Sequence, residues 1–344
     1  MRAVTFQAPE QVRIEEKPDP ELFSADDALV RVQASGICGS DLHIYHGRVP
    51  VEPGFTIGHE FVGTVVAAGD DVDRVAVGDR VLGTFHTACA TCASCLRGDY
   101  HRCRNGQTFG HGKNLGDLQG AQAELLAVPR ANLTLRRVPE GMSADVALFA
   151  GDVMGTGYHS IAHAEMKAGD TVAVLGLGPV GLCAVQAAVA GGAVKVFAID
   201  TVAERLAMAE RFAATPLHLS EDEPKKRIRA ATEGLGVDVV VDAVGDPAPL
   251  ALAVSLARDA GTVSGIGAYA GKGEVPLGLA WLKGLQLRLG LANVIAHVDR
   301  VLALMEAGKL DPSPLVTHHL PLDQASEAYE IYDQREALKI VLTP

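Results

Sequence analysis

Three features of the sequence predict an α/β chain of two domains, the first rich in β-strands and the second a doubly wound parallel sheet. The 344 residues exceed one ordinary domain, and 48% hydrophobic content with 37 glycines is enough for two buried cores. Residues 1–150 read as short β segments split by Gly and Pro, with little helical periodicity. From Thr171 the texture changes to strand, glycine turn, helix, strand, a βαβ unit that opens a parallel sheet.

In chain order, strands are expected over 28–34, 61–67 and 80–83 in the first domain. The βαβ unit follows as strand 171–175, glycine turn 176–181, helix 182–190 and strand 194–200. Buried-strand patterns recur at 237–241, 261–266 and 285–291, separated by helix-length stretches such as 250–258, so a sheet of about six strands is expected. The last apolar run, 338–342, has no partner nearby in sequence and is expected to rejoin the first domain. The expected division is 1–152 with 294–344, against 153–293.

A formal charge of −12 offers no basic surface for a phosphate backbone, which excludes nucleic acid as a partner. No apolar run reaches the roughly 18 residues of a membrane span, and the opening residues lack a signal-peptide pattern, so a soluble cytoplasmic protein is expected. Six cysteines are too few for a disulfide scaffold, and four crowd into 89–103, which suggests metal in a reducing compartment.

Gly176-Leu-Gly178-Pro179-Val180-Gly181 lies between an apolar strand and an apolar helix, the context in which a GxGxxG pattern signals a dinucleotide. The first glycine allows the tight turn, the second lets backbone approach the pyrophosphate, and the third lets helix and sheet pack closely. Backbone N–H groups at the helix start then hold the anion. Asp200 ends the next strand, at the roughly 20-residue interval where a carboxylate meets the ribose hydroxyls and repels a 2′-phosphate. NAD is therefore expected over NADP. Capping of the following helix is the plainer role for Asp200, and Arg205, a turn beyond, could tolerate some phosphate.

Cys89-x2-Cys92-x2-Cys95-x7-Cys103 supplies four soft ligands, the set of a closed tetrahedral zinc that folds its loop and does no chemistry. The short last interval and following proline of bacterial ferredoxins are missing, which disfavours an iron–sulfur cluster. Cys38 and His59 give one thiolate and one imidazole of a second site. A catalytic zinc needs three protein ligands and an open position, and Asp152 is the best remaining candidate, with a helix N-cap as its alternative. Taken singly, Cys38 reads as a small hydrophobe, His59 as a core histidine, and Cys183 as helix packing.

The Gly58-His59-Glu60 segment, the four-cysteine lobe and the glycine loop, in this order, resemble the zinc-containing medium-chain alcohol dehydrogenase family over essentially the whole chain. The resemblance implies a GroES-like catalytic domain beside a Rossmann cofactor domain, two zinc ions per chain, NAD(H), and a small alcohol, aldehyde or ketone as substrate. Carried over residue by residue, Cys38, His59 and Asp152 would hold the catalytic zinc, with Glu60 behind it or as a transient ligand. Ser40 and His43 would relay the proton, and Asp41 would orient His59. Thr156 would pack against the nicotinamide, and Ile266 would line the cofactor. Phe85, His86, Phe109 and Leu291 would wall the substrate pocket.

Gly39 stands where many relatives carry a basic residue that binds pyrophosphate, so Lys339 is expected to supply that charge. The family also implies pairing of 281–293 with a second chain, as a dimer or tetramer, because an apolar edge strand invites a partner. A polyol or threonine dehydrogenase is the competing enzyme reading. Such relatives more often place Glu at the third ligand position, so Asp152 tilts toward simple alcohols. A non-enzymatic NAD-binding protein would be credible had a ligand or relay residue been lost.

Overall fold

A computed structural model describes residues 1–269 and 273–344. The chain divides into two compact units: Met1–Gly155 with Asn293–Glu306 and Asp311–Pro344, and Thr156–Ala292 with Ala307–Leu310.

In the first unit a seven-stranded sheet runs in the order Val316–Pro321, Lys339–Thr343, Ala28–Gly36, Glu60–Ala68, Arg80–Gly83, Leu135–Arg137, with Leu125–Val128 added to Ala28–Gly36. Alternate residues of its strands, among them Val30, Val32, Phe61, Val65 and Val81, fill one core cluster. Residues 28–33 show the period-2 burial of a strand with one covered face, whereas 60–63 and 339–342 are buried on both faces. The C-terminal strand Lys339–Thr343 is antiparallel to Ala28–Gly36, in the register Val341 to Gly36, and parallel to Val316–Pro321. The pairing sets Lys339 beside the end of the strand that leads into Cys38. Short helices are present too. Ala144–Ala150 is capped by Ser143, whose Oγ accepts the Val146 N–H at 3.3 Å, and it leads into Asp152.

The second unit holds a parallel sheet ordered Thr215–His218, Lys195–Asp200, Thr171–Leu175, Val237–Asp242, Ala257–Gly265, Gln286–Leu289. In chain order this is 3-2-1-4-5-6, the doubly wound arrangement, with its switch point beside Thr171–Leu175. Thr215–His218 carries no sequence signal of its own, being four residues with a proline in the middle. It stands at the sheet edge, where a residue without an N–H is tolerated. The helix expected over 250–258 runs Pro247–Leu256, started by proline at its first turn, and the next strand begins at Ala257. The strand expected over 285–291 runs Gln286–Leu289 at the sheet edge, while Trp281 and Leu282, the start of the segment expected to pair with a second chain, lie in the helix Leu277–Leu282.

Among the described residues, no helix is long and apolar enough to cross a membrane.

Candidate active site

Cys38 follows the strand Ala28–Gly36, His59 and Glu60 open the strand Glu60–Ala68 paired to it, and Asp152 ends the turn after Ala144–Ala150. One ligand atom from each of these four buried residues lies within 4.8 Å of the others. Asp152 Oδ2 is 3.4 Å from Cys38 Sγ and 3.1 Å from His59 Nε2, and Ser40 Oγ is 3.3 Å from the same nitrogen. His59 Nδ1 lies 3.0 Å from Asp41 Oδ1, while Asp41 Oδ2 accepts the Cys38 N–H at 2.9 Å. Asp41 thus ties two of the converging residues together and leaves His59 Nε2 facing the common point.

The charges explain what this arrangement requires. Burial opposes the Asp152 charge, but the His59 hydrogen bond and the positive charges of His59 and Lys339 outweigh it and hold the carboxyl below its ordinary range. Burial likewise opposes an imidazolium at His59, but Asp41 and Cys38 raise it well above the usual histidine value. A thiol and a carboxylate crowded into one dry site need a cation. Sulfur, imidazole and carboxylate at one point form a donor set suited to zinc.

Glu60 stands behind this cluster in a space that exists because residue 36 is glycine; a Cβ there would collide with Glu60 Oε2. Lys339 Nζ donates to both Glu60 oxygens at 2.7 Å and to Ile37 O at 2.9 Å, and both side chains are buried. Burial pushes the Glu60 carboxyl up against the pull of Lys339. Burial also opposes the Lys339 charge, but Glu60 raises the ammonium above its ordinary value. This corrects the sequence expectation for Lys339. A fully buried ammonium already bound to a carboxylate and a carbonyl is not available to a pyrophosphate.

His43 lies on the helix Asp41–Tyr45, half-buried, with no hydrogen-bond partner for Nδ1 among the described residues. Phe85 packs edge-on to His59 at 6.2 Å between ring centroids, and His86 lies 4.5 Å beyond it. Burial holds His86 down to about 4, so it is a neutral imidazole, and its Nε2 is unpartnered among the described residues. Phe109 is a correction. It is completely buried, edge-to-face with Phe61 at 5.4 Å, and is core of the first unit, not pocket wall. Leu291 is 46% exposed, in the second unit. Two groups had no motif to reveal them in the sequence. His111 lies 5.0 Å from the His59 ring, and Gln122 donates to Gly36 O at 3.1 Å while accepting from Tyr329 at 3.0 Å.

Cys89, Cys92, Cys95 and Cys103 form a separate cluster with Sγ–Sγ distances of 3.4, 3.5, 3.9 and 3.9 Å. A disulfide needs about 2.05 Å, whereas thiolates at about 2.3 Å from a tetrahedral zinc sit about 3.8 Å apart. The spacing fits the metal. Backbone N–H groups of Cys92 and Cys89 point at Cys89 and Cys103 sulfur, at 3.4 and 3.2 Å, as they would toward thiolates.

In the second unit Gly176 takes φ +81°, and Pro179–Ala190 starts at the glycine turn with proline at its first position. Nothing lies within 4 Å of a Cβ built on Gly178, so the turn leaves the room that an approaching pyrophosphate needs. The Asp200 carboxylate accepts the N–H groups of Leu177, Thr201 and Val202 at 2.6, 2.7 and 3.0 Å, with Arg205 at 4.0 Å. It therefore braces the glycine turn as well as ending its strand, and Arg205 partly neutralises it. Thr156, which begins this unit, is buried, and Ile266 directly follows the strand Ala257–Gly265.

Residues 24–140 match the family model described as alcohol dehydrogenase GroES-like domain, and residues 179–306 match that of zinc-binding dehydrogenase. The chain belongs to the zinc-dependent medium-chain alcohol dehydrogenase family. A probable zinc-binding alcohol dehydrogenase of Mycobacterium tuberculosis is 40% identical, over 100% of this chain and 89% of the relative. The solved alcohol dehydrogenase of Thermus sp. ATN1 superposes with a TM-score of 0.97 at 46% identity, covering 100% of this chain and 99% of that one. An L-threonine 3-dehydrogenase of Francisella tularensis subsp. novicida is 33% identical, over 96% of this chain and 95% of its own length. This dehydrogenase is an oxidoreductase of alcohols that uses zinc and NAD(H).

Proposed function

We propose that the dehydrogenase oxidises primary and secondary alcohols reversibly to aldehydes and ketones, at a catalytic zinc held by Cys38, His59 and Asp152. The observation that carries this reading is the convergence of a thiol, an imidazole and a carboxylate on one buried point, with Ser40 beside them. Zinc bound there would polarise the substrate hydroxyl and lower its pKa, and NAD would accept the hydride from carbon. Ser40 takes the hydroxyl proton, and His43, a half-buried side chain whose Nδ1 has no hydrogen-bond partner among the described residues, passes it toward solvent. Asp41 fixes the His59 ring, and Lys339 neutralises Glu60 behind the site. Cys89, Cys92, Cys95 and Cys103 hold a second, structural zinc. The glycine turn and Asp200 take the pyrophosphate and adenosine ribose of NAD.

Cysteines spaced for a metal and not for disulfides suit a reducing compartment, which supports a cytoplasmic reading. The edge strand Gln286–Leu289 adjoins exposed Leu277, Trp281, Leu282 and Leu291, an apolar surface suited to a second copy of the chain. Trp281→Glu is expected to halve the mass seen by light scattering, and a wild-type monomer would refute the assembly.

A panel of aliphatic and benzylic alcohols, polyols and threonine, followed by NADH absorbance, tests the proposal. Turnover confined to polyols or threonine would favour the second reading, which rests on His86: its unpartnered Nε2 could meet a second polar group of the substrate. No turnover with any alcohol would overturn both.

A further inference from the structure

The cofactor-binding unit contains a built pair of polar side chains that the reading above leaves without a role. Asp242 ends the fourth strand of the doubly wound sheet and is completely buried. It pairs in register with Leu175, the residue before the glycine turn, so it sits at the switch point. Its Oδ1 accepts the N–H groups of Val244 and Gly245 at 2.9 and 3.3 Å. Its Oδ2 accepts the Tyr269 hydroxyl at 2.5 Å. Its backbone carbonyl accepts the N–H groups of Ile266 and Gly267 at 2.9 and 3.1 Å. One residue therefore holds two loops, 243–246 after the fourth strand and 266–269 after the fifth.

The loops are also packed backbone to backbone. A Cβ on Gly267 would collide with Gly245 N, and a Cβ on Gly176 would lie 2.5 Å from the Val244 side chain. The Tyr269 hydroxyl lies over Gly265, where a Cβ would come within 2.7 Å of it. Close backbone packing and the Asp242–Tyr269 hydrogen bond thus hold the two loops against each other.

The place of these loops follows from topology. Dinucleotides cross the carboxyl ends of the strands in a doubly wound sheet. Asp200, at the end of the second strand, and the glycine turn, at the end of the first, take the adenosine and pyrophosphate side. The opposite half of the molecule then lies over the ends of the fourth and fifth strands. Those ends are Asp242 and Gly265.

We propose that Asp242 and Tyr269 are positioning residues for the nicotinamide ring of the cofactor: their hydrogen bond fixes the two loops that flank it. The inference rests on NAD binding at the glycine turn, and its test separates the two. The full-length, zinc-loaded protein is titrated calorimetrically with NAD and with ADP-ribose, which lacks the nicotinamide ring. Tyr269→Phe keeps the ring and removes the hydroxyl. Asp242→Asn keeps an oxygen for the Val244 and Gly245 N–H groups and weakens the bond to Tyr269.

Both variants are expected to bind NAD about tenfold more weakly, the usual worth of a hydrogen bond to a charged group, while ADP-ribose affinity changes less than about twofold. Unchanged NAD affinity, or equal losses for NAD and ADP-ribose, would overturn the positioning role, since a merely structural bond would weaken both ligands alike. Failure of the wild-type protein to bind either ligand would overturn the cofactor reading itself. Should Tyr269→Phe not fold, Asp242→Asn decides by the same comparison, and failure of both to fold counts against the proposal.

Discussion

Lys339→Met tests how the buried charge behind the metal site is kept. Lys339 and Glu60 meet at 2.7 Å with both side chains buried, and at an effective dielectric of about 20 their attraction is about 6 kcal/mol. Desolvation of two ions consumes most of that, so the pair adds little net stability while intact. Removing one partner is different. It strands a carboxylate in a dry space, which costs about 3–5 kcal/mol. For a unit of 150–250 residues each kcal/mol is worth about 2–4 °C, so the first unit's transition should fall by roughly 6–20 °C in calorimetry with zinc present.

The deficit should also depend on pH. Burial already pushes Glu60 up, and without Lys339 its folded pKa rises further above the unfolded value of about 4.3. The folded variant then binds more protons than the unfolded chain between those two values, so its stability falls as pH rises through that window. The loss relative to wild type is smallest near pH 5 and largest above pH 8. Glu60→Gln in the Lys339→Met background removes the titrating group and should flatten this pH dependence. A fall of less than about 1 kcal/mol, or a deficit independent of pH, would refute the reasoning.

Elemental analysis should find two zinc ions per chain. Cys38→Ala should lose one of them and abolish turnover while the protein stays folded and binds NAD. Cys92→Ala should lose the other and lower the melting temperature, because a closed site contributes its binding free energy to folding. An active Cys38→Ala, or a fully stable Cys92→Ala, would break the assignment. Asp200→Gly should raise the NADP-to-NAD ratio of kcat/KM by at least about tenfold through loss of carboxylate repulsion. It should also weaken NAD itself, since Asp200 braces Leu177, Thr201 and Val202; an unchanged ratio would place discrimination elsewhere, at Arg205.

The two-domain α/β fold, the glycine turn and the cysteine lobe were legible in the sequence because each is written in local spacing. Apolar periodicity fixes strand and helix, a glycine triplet fixes a turn, and four thiols within fifteen residues reach one metal without help from the rest of the chain. Thr215–His218 escaped because a short edge strand with a proline draws its pairing from its neighbour, not from its own residues. Lys339 and Phe109 were misplaced for a related reason. A resemblance in sequence does not say whether a side chain reaches solvent, and register decides that. Val341 pairs with Gly36, which sets Lys339 against Ile37 and Glu60, while the Phe109 ring is taken by Phe61. Asp242 and Tyr269, 27 residues apart, carry no motif at all. Spacing along the chain determines what a local segment becomes. Which buried polar groups meet is decided only when the strands are laid side by side, since an unpaired charge or hydrogen bond acquires its cost there.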